Sequence, residues 1–231
     1  MIAGKNILAI VPARIGSKGI EKKNLKKIKK KSLVSHAILC LKKIRQIDKI
    51  FISTDSNLIV KEALKFNIKT PFLRNKKLSG DKISDYQVIS DVLKKIEKLD
   101  KKNYNIILLI QPTSPFRKAS DIVKCIKILI NKKSDSVWTV SKSDSKMHPL
   151  KQLSIVKNKI NFYEKAGKKI IARQQLRNLY YRNGICYAIK RETILKQKNI
   201  MGKFCIPLVI NRININIDNY FDLKLANLLY K

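Results

Sequence analysis

The sequence predicts an α/β fold, a mostly parallel sheet covered by helices, on three observations. Strand-length apolar runs alternate with stretches in which apolar residues recur at helical spacing. The strand runs are continuous in their apolar character, as strands buried on both faces are. Polar clusters follow four of these strands directly, at the edge where open parallel sheets carry their ligands.

Taken in order, NILAIV (6–11) is the first strand, closed by Pro12, and LVSHAILCLKKI (33–44) is a helix. KIFIST (49–54) is a second strand, NLIVKEALKF (57–66) a helix, and SDYQVISDVLKKIEKL (84–99) a helix opened by a Ser or Asp cap. NIILLIQ (105–111) is a buried strand, ASDIVKCIKILI (119–130) a helix capped at Ser120, and DSVWTVSK (135–142) a strand. From Ser143 to Arg177 helical periodicity is lost, and short alternating pieces such as KINFYEK predict a hairpin excursion from the core. A strand at 185–190, a short helix, a strand near 206–210 and a closing helix in YFDLKLANLLYK complete the chain. There is no repeat, low-complexity tract or flexible linker. With 231 residues, 45% of them hydrophobic, one principal domain is expected.

The 51 Lys and Arg against 16 Asp and Glu give a formal charge of +35, which alone suggests nucleic acid, an anionic membrane or a polyanionic substrate. The excess is mostly lysine, spread along a chain also rich in Ile and Asn, so most of it reads as solvated surface. Aromatic residues make up only 7% and no nucleic-acid signature occurs, which argues against a nucleic-acid partner. Cys40, Cys125, Cys186 and Cys205 form no CxxC pair and fit a reducing, cytoplasmic compartment. The N-terminus lacks a signal pattern and no window approaches a membrane span, so no membrane partner is expected.

The loop PARIGSKG is neither GxxxxGK[ST] nor GxGxxG. It offers close backbone approach at Gly16 and Gly19, exposed N–H groups, and Arg14, Lys18 and Lys23 as cationic arms, which suit a chain of phosphates or, equally, a solvent-facing basic turn. In QPTSPFR two prolines fix a rigid loop that holds Gln111 and Arg117 at defined angles. RQQLRNLYYRNGICYA (173–188) gathers Arg173, Gln174, Arg182 and Asn183, planar donors for carboxylate, amide or hydroxyl groups, with Tyr187 in the core and Tyr180 and Tyr181 on an amphipathic strand. Asp218, just before the last helix, is either a helix cap or a ligand for a hard metal facing the phosphate loop. His36 reads as structural within a helix, His148 lies in the irregular excursion, and no Ser/His/Asp or Cys/His pattern occurs.

VPARIGSKGIEKKN, STDS, PFLR, LLIQPTSPFR, RQQL…YYRNGICYAI and NIDNYFDL stand in the order found in acylneuraminate cytidylyltransferases, and the resemblance covers nearly the whole chain. It implies a Rossmann-like nucleotidyltransferase fold over residues 1–231, with a dimerisation excursion at about 143–180. The implied reaction transfers CMP from CTP to the anomeric hydroxyl of a nine-carbon 2-keto sugar acid, with Mg²⁺ assisting and pyrophosphate leaving. By the same resemblance Arg14, Lys18 and Lys23 meet the triphosphate, with Gly16 and Ser17 between them, and Asn24 lies near the nucleotide. Arg74 and Ser84 flank the cytosine, whereas Gln111, Arg173, Gln174, Arg182, Asn183 and Tyr187 belong to the sugar pocket. Asp218 matches a magnesium-binding aspartate, while Asn216 replaces the first carboxylate of the Asp-x-Asp pair that part of the family carries. Ile15 and Glu21 depart from the usual small residue or glycine and proline of the loop. The resemblance also implies a homodimer, with the excursion helping to close the partner's sugar pocket.

Rival readings are a pseudaminic acid enzyme, a Kdo enzyme, a basic nucleic-acid-binding protein, and a weakened relative that kept the fold. Kdo enzymes usually carry a Gly-Asp pair where this chain has QPTSP, which ranks that reading lower.

Overall fold

The computed structural model describes residue 2 and residues 4–230. Among these residues ten strands are formed: β1 Ile7–Pro12, β2 Lys27–Ile28, β3 Lys31–Ser32, β4 Lys49–Ser53, β5 Ile106–Leu109, β6 Ser136–Lys142, β7 Leu153–Val156, β8 Lys159–Phe162, β9 Tyr180–Lys190 and β10 Cys205–Val209. The helices are α1 Leu33–Lys42, α2 Asn57–Leu64, α3 Asp85–Asp100, α4 Ala119–Asn131, α5 Arg191–Leu195 and α6 Tyr220–Leu229.

Six strands form one sheet in the order β10-β6-β9-β5-β1-β4. β1 runs parallel to β4 and β5, and β6 parallel to β10, while β9 is antiparallel to both β5 and β6. Side chains alternate across each strand. Ile7, Ala9 and Val11 of β1 therefore pack against α1, α2 and α4, through Val34, Ile38, Ile59, Ile122 and Ile126 among others. Leu8 and Ile10 turn to the opposite face, against Ile89, Leu93 and Ile96 of α3 and Ile194 of α5. Cys125 and Cys186 lie buried against each other in the first of these layers, and burial pushes the Cys186 thiol well up. A third apolar cluster joins Ile20 of the first loop to Ile217 and to Ala226 of α6.

β9 reaches five residues further back than its buried apolar run predicts. Its register against β6 slips, since Trp138 faces Tyr187 whereas Val140 faces Arg182, so the strand bulges at 183–186. Gly184 sits there at φ 70°, and a Cβ would lie 2.5 Å from Gln111 Oε1 and 2.6 Å from Ser114 Oγ. Asn183 ties the bulge down: its side chain accepts from Thr139 Oγ1 at 2.7 Å and donates to Ser141 Oγ at 3.0 Å.

Ser84 is the cap of α3, accepting from Gln87 N at 3.3 Å while Gln87 Oε1 accepts the Ser84 N–H at 2.9 Å. Ser120 does not cap α4. That helix starts at Ala119 after Lys118, which supplies no side-chain cap. Asn219 caps α6, which releases Asp218 from that role. His36 is structural as read, its Nε2 3.1 Å from the Ile28 carbonyl. The excursion is the β7–β8 hairpin flanked by short 3-10 turns. Among the described residues no helix is long and apolar enough to cross a membrane.

Candidate active site

The sheet order places β5, β1 and β4 side by side, so the loops that follow them meet at one edge. Residues 210–219 join them, the Ile217 N–H donating to the Thr113 carbonyl at 2.8 Å. Between these loops lies a cavity of about 520 Å³.

The first loop is shaped by its own polar groups. Ser17 Oγ donates to the Ile20 carbonyl at 2.5 Å and accepts from Lys23 N at 3.2 Å, and Asn24 Nδ2 donates to the Arg14 carbonyl at 2.8 Å. Gly19 packs against the Asp218 carbonyl so closely that a Cβ would collide with it. Glycine is thus required here for approach rather than for φ.

Each cationic arm is held by a carboxylate. Arg14 Nη2 lies 2.6 Å from Asp81 Oδ1, Lys18 Nζ 3.0 Å from Asp81 Oδ2, and Lys23 Nζ 2.9 Å from Asp218 Oδ1. Hydrogen bonds from Lys18 and Arg14 hold the Asp81 carboxyl below its ordinary range. Asn216 Nδ2 donates to the other oxygen of Asp218 at 3.1 Å.

Arg74 is buried, with its Nε donating to Ser53 Oγ at 3.0 Å and its Nη2 to the Ser53 carbonyl; burial lowers its pKa to about 10. Asp85 also lines the cavity, and burial raises its carboxyl pKa against the opposing pull of Arg182 and Arg74.

Arg14, Gly16, Ser17, Lys18, Lys23, Asn24, Arg74, Gln111 and Asp218 are thus brought around one cavity. The remaining residues named from the sequence are not among its lining. Ser84 caps α3 beside it. Asn183 and Tyr187 are fully buried, the tyrosine hydroxyl accepting from Gly184 N at 3.0 Å. Arg182 lays its guanidinium over the Trp138 ring, 5.5 Å from its centroid. Arg173 and Gln174 belong to a single 3-10 turn in the excursion, where Arg173 lines a separate cleft with Asp144 and His148.

Sequence reasoning missed Asp81 and Asp85. Their signal was two carboxylates within SGDKISD, in a chain with only 16 acidic residues.

Among the described residues no three His, Cys, Asp or Glu side chains converge as a metal cluster. The Asp218 carboxylate is the hard-oxygen ligand that suits Mg²⁺ arriving with phosphates, which supply other ligands, while Asn216 turns its amide N–H toward that carboxylate.

A protein-family model described as cytidylyltransferase matches residues 8–230. The CMP-N,N'-diacetyllegionaminic acid synthase of Legionella pneumophila is 30% identical over 215 residues, 92% of this chain and 90% of that protein. Post-translational flagellin modification protein B of Campylobacter coli is 27% identical over 97% of this chain and 95% of its own length. A solved CMP:2-keto-3-deoxy-manno-octonic acid synthetase complexed with CTP superposes with a TM-score of 0.72 at 15% identity, covering 97% of this chain and 98% of that one, which is a likeness of fold. Since the family match runs from β1 into the end of α6, taking in every loop around the cavity, the chain belongs to the cytidylyltransferase family.

Proposed function

We propose that the protein transfers CMP from CTP to the anomeric hydroxyl of a nine-carbon 2-keto sugar acid of the sialic or legionaminic type. The observation that carries this reading is the trio Arg14, Lys18 and Lys23, which converges on a glycine loop at the sheet edge with each cation paired to a carboxylate. A triphosphate is the stronger anion and would displace Asp81 from Arg14 and Lys18.

The anomeric oxygen attacks the α-phosphorus while the bond from that phosphorus to the α–β bridging oxygen breaks, and pyrophosphate leaves in line. Charge grows on the nonbridging oxygens and on the departing group, so the residues act chiefly by positioning and by cationic stabilisation. Arg14 and Lys18 would hold the β and γ phosphates, and Lys23 would meet the phosphate nearest Asp218. The proton of the anomeric hydroxyl would pass to Asp218 or to water. Mg²⁺, held by Asp218, would supply Lewis-acid neutralisation of the phosphate oxygens.

Arg74 and Ser84 are proposed to stand beside the cytosine, and Gln111 to meet the sugar acid. Arg173 and Gln174 are proposed to enter the sugar pocket of a second copy, carried by the excursion of a homodimer. Arg182, Asn183 and Tyr187 would support the pocket wall. A cytoplasmic setting belongs to the proposal, and the four free cysteines support it.

The test is incubation with CTP, Mg²⁺ and a panel of N-acetylneuraminic, legionaminic, pseudaminic and Kdo acids, following pyrophosphate release and product mass. One nine-carbon acid should be converted to its CMP derivative. Asp218→Ala should lower kcat by roughly 100- to 1000-fold, the scale of losing one charge-stabilising group. Folded protein that binds CTP but yields no CMP-sugar from any acid would sink the reading.

A further inference from the structure

We propose that the protein holds a second anion site, for the phosphate or diphosphate group of a small molecule, on the far side of the loop that carries Gln111. A cavity of about 820 Å³ opens there between α1, the β2–β3 hairpin, the start of α4 and Tyr230, and it shares no lining residue with the first cavity. Loop residues Pro112 and Thr113 face one cavity, and Pro115, Arg117 and Lys118 face the other.

Three independent features give this cavity its chemistry. Lys29, Lys30, Lys31, Lys43 and Lys118 line it without a single acidic residue, and none of the five is in an ion pair among the described residues. The start of α4 opens onto it, and Lys118 at the cap position provides no side-chain acceptor for the free N–H groups of the first turn. Asp121, one turn inside, is occupied by Arg212 and by the Lys118 N–H.

Arg117 adds a sixth cation to the wall. Its residue is 6% exposed, its Nε donates to the Ile185 carbonyl at 3.3 Å and its Nη2 to the Gln111 carbonyl, yet its Nη1 is buried with no partner. Burial lowers its pKa only to about 10, so it is a cation at neutral pH. A buried charge without full satisfaction is costly, and since Arg117 stands in the wall of this cavity, an anion held there would lower that cost through its field.

A multiply charged anion is the ligand that this many unopposed cations select, and phosphate oxygens accept from the lysines and the helix N–H groups at once. The Tyr230 ring adds a flat apolar wall, packed 4.7 Å from the His36 ring and 5.4 Å from Phe116, so a nucleoside phosphate and free phosphate or pyrophosphate share the required group. The inference rests on these residues alone and stands whether or not the proposed transfer reaction does.

The experiment titrates inorganic pyrophosphate, orthophosphate and CMP calorimetrically, without metal, into the full chain carrying Arg14→Ala and Lys18→Ala, which disables the first loop. One saturable site should persist. Adding Lys43→Ala and Lys118→Ala, both at exposed positions, should weaken it by at least about tenfold, as loss of charge-assisted bonds implies. The control pair Lys94→Ala and Lys98→Ala, exposed on α3, should leave it unchanged. Tighter binding of CMP than of pyrophosphate would make the nucleotide the source of the phosphate, and the reverse order the free anion; both place an anion in this cavity. Loss of all binding with the first loop disabled, or equal weakening by the α3 control, overturns the proposal.

Discussion

Asp85 opens α3 with its carboxyl at the cavity wall, in surroundings dry enough to raise its pKa although Arg182 and Arg74 pull it down. A carboxyl raised on folding burdens the fold only where it is ionised, above its folded value, and the burden vanishes as pH falls to the unfolded value near 3.8. Asp85→Asn should therefore raise the melting temperature at pH 7, with the gain closing as pH approaches 3.8. Thermal unfolding of both proteins across pH measures this, and equal melting at pH 7 would count against it. Residue by residue, the cationic arms were legible because Arg14, Lys18 and Lys23 crowd one glycine loop after a strand. The carboxylate that pairs with Arg14 and Lys18 was not, since Asp81 lies far along the chain between a 3-10 turn and α3, and only the fold brings it back. Asn183 looked like a ligand group in sequence, whereas its amide donates to Ser141 and accepts from Thr139 and from the Ile185 N–H inside the β9 bulge.

At the scale of elements, Ser84 stands where a cap and a cytosine contact are both conceivable, and the two separate experimentally. Ser84→Ala removes one half of the reciprocal pair with Gln87 and should cost about 1 kcal/mol of stability in urea unfolding. If the side chain only caps, KM for CTP stays as it was; a rise in KM beyond the stability effect assigns it to the nucleotide as well. The long helices and buried strands were readable to within a few residues because their periodicity is strong. The continuity of β9 was not, because Tyr180 and Tyr181 read as an amphipathic strand apart from the buried run at 185–190, and exposed Arg182 joins them without an apolar run. The β2–β3 hairpin also escaped, its two-residue strands lying in a lysine-rich stretch with no alternation to detect.

For the molecule as a whole, the excursion turns apolar residues outward. Ile155 and Ile160 pair across the β7–β8 hairpin at 74% and 68% exposure, and Ile171 is 94% exposed, more than a solvated hairpin would carry without a partner. Ile155→Asp with Ile160→Asp should lower the mass in sedimentation equilibrium from a dimer to a single chain of 26.6 kDa, and a wild-type protein that sediments as one chain refutes the homodimer. The spread of a +35 charge was legible at once, whereas its sorting into two cavities was not, because both are assembled from distant segments. The contact of Gly19 with the Asp218 carbonyl has a consequence in time as well as in space. A ribosome makes the glycine loop first, but the backbone on which that loop rests, and the Ile217 that packs against its Ile20, come nearly two hundred residues later. The nascent chain thus carries its glycine loop without that support through almost all of its synthesis, and the cavity closes around it only when the segment around residue 218 emerges.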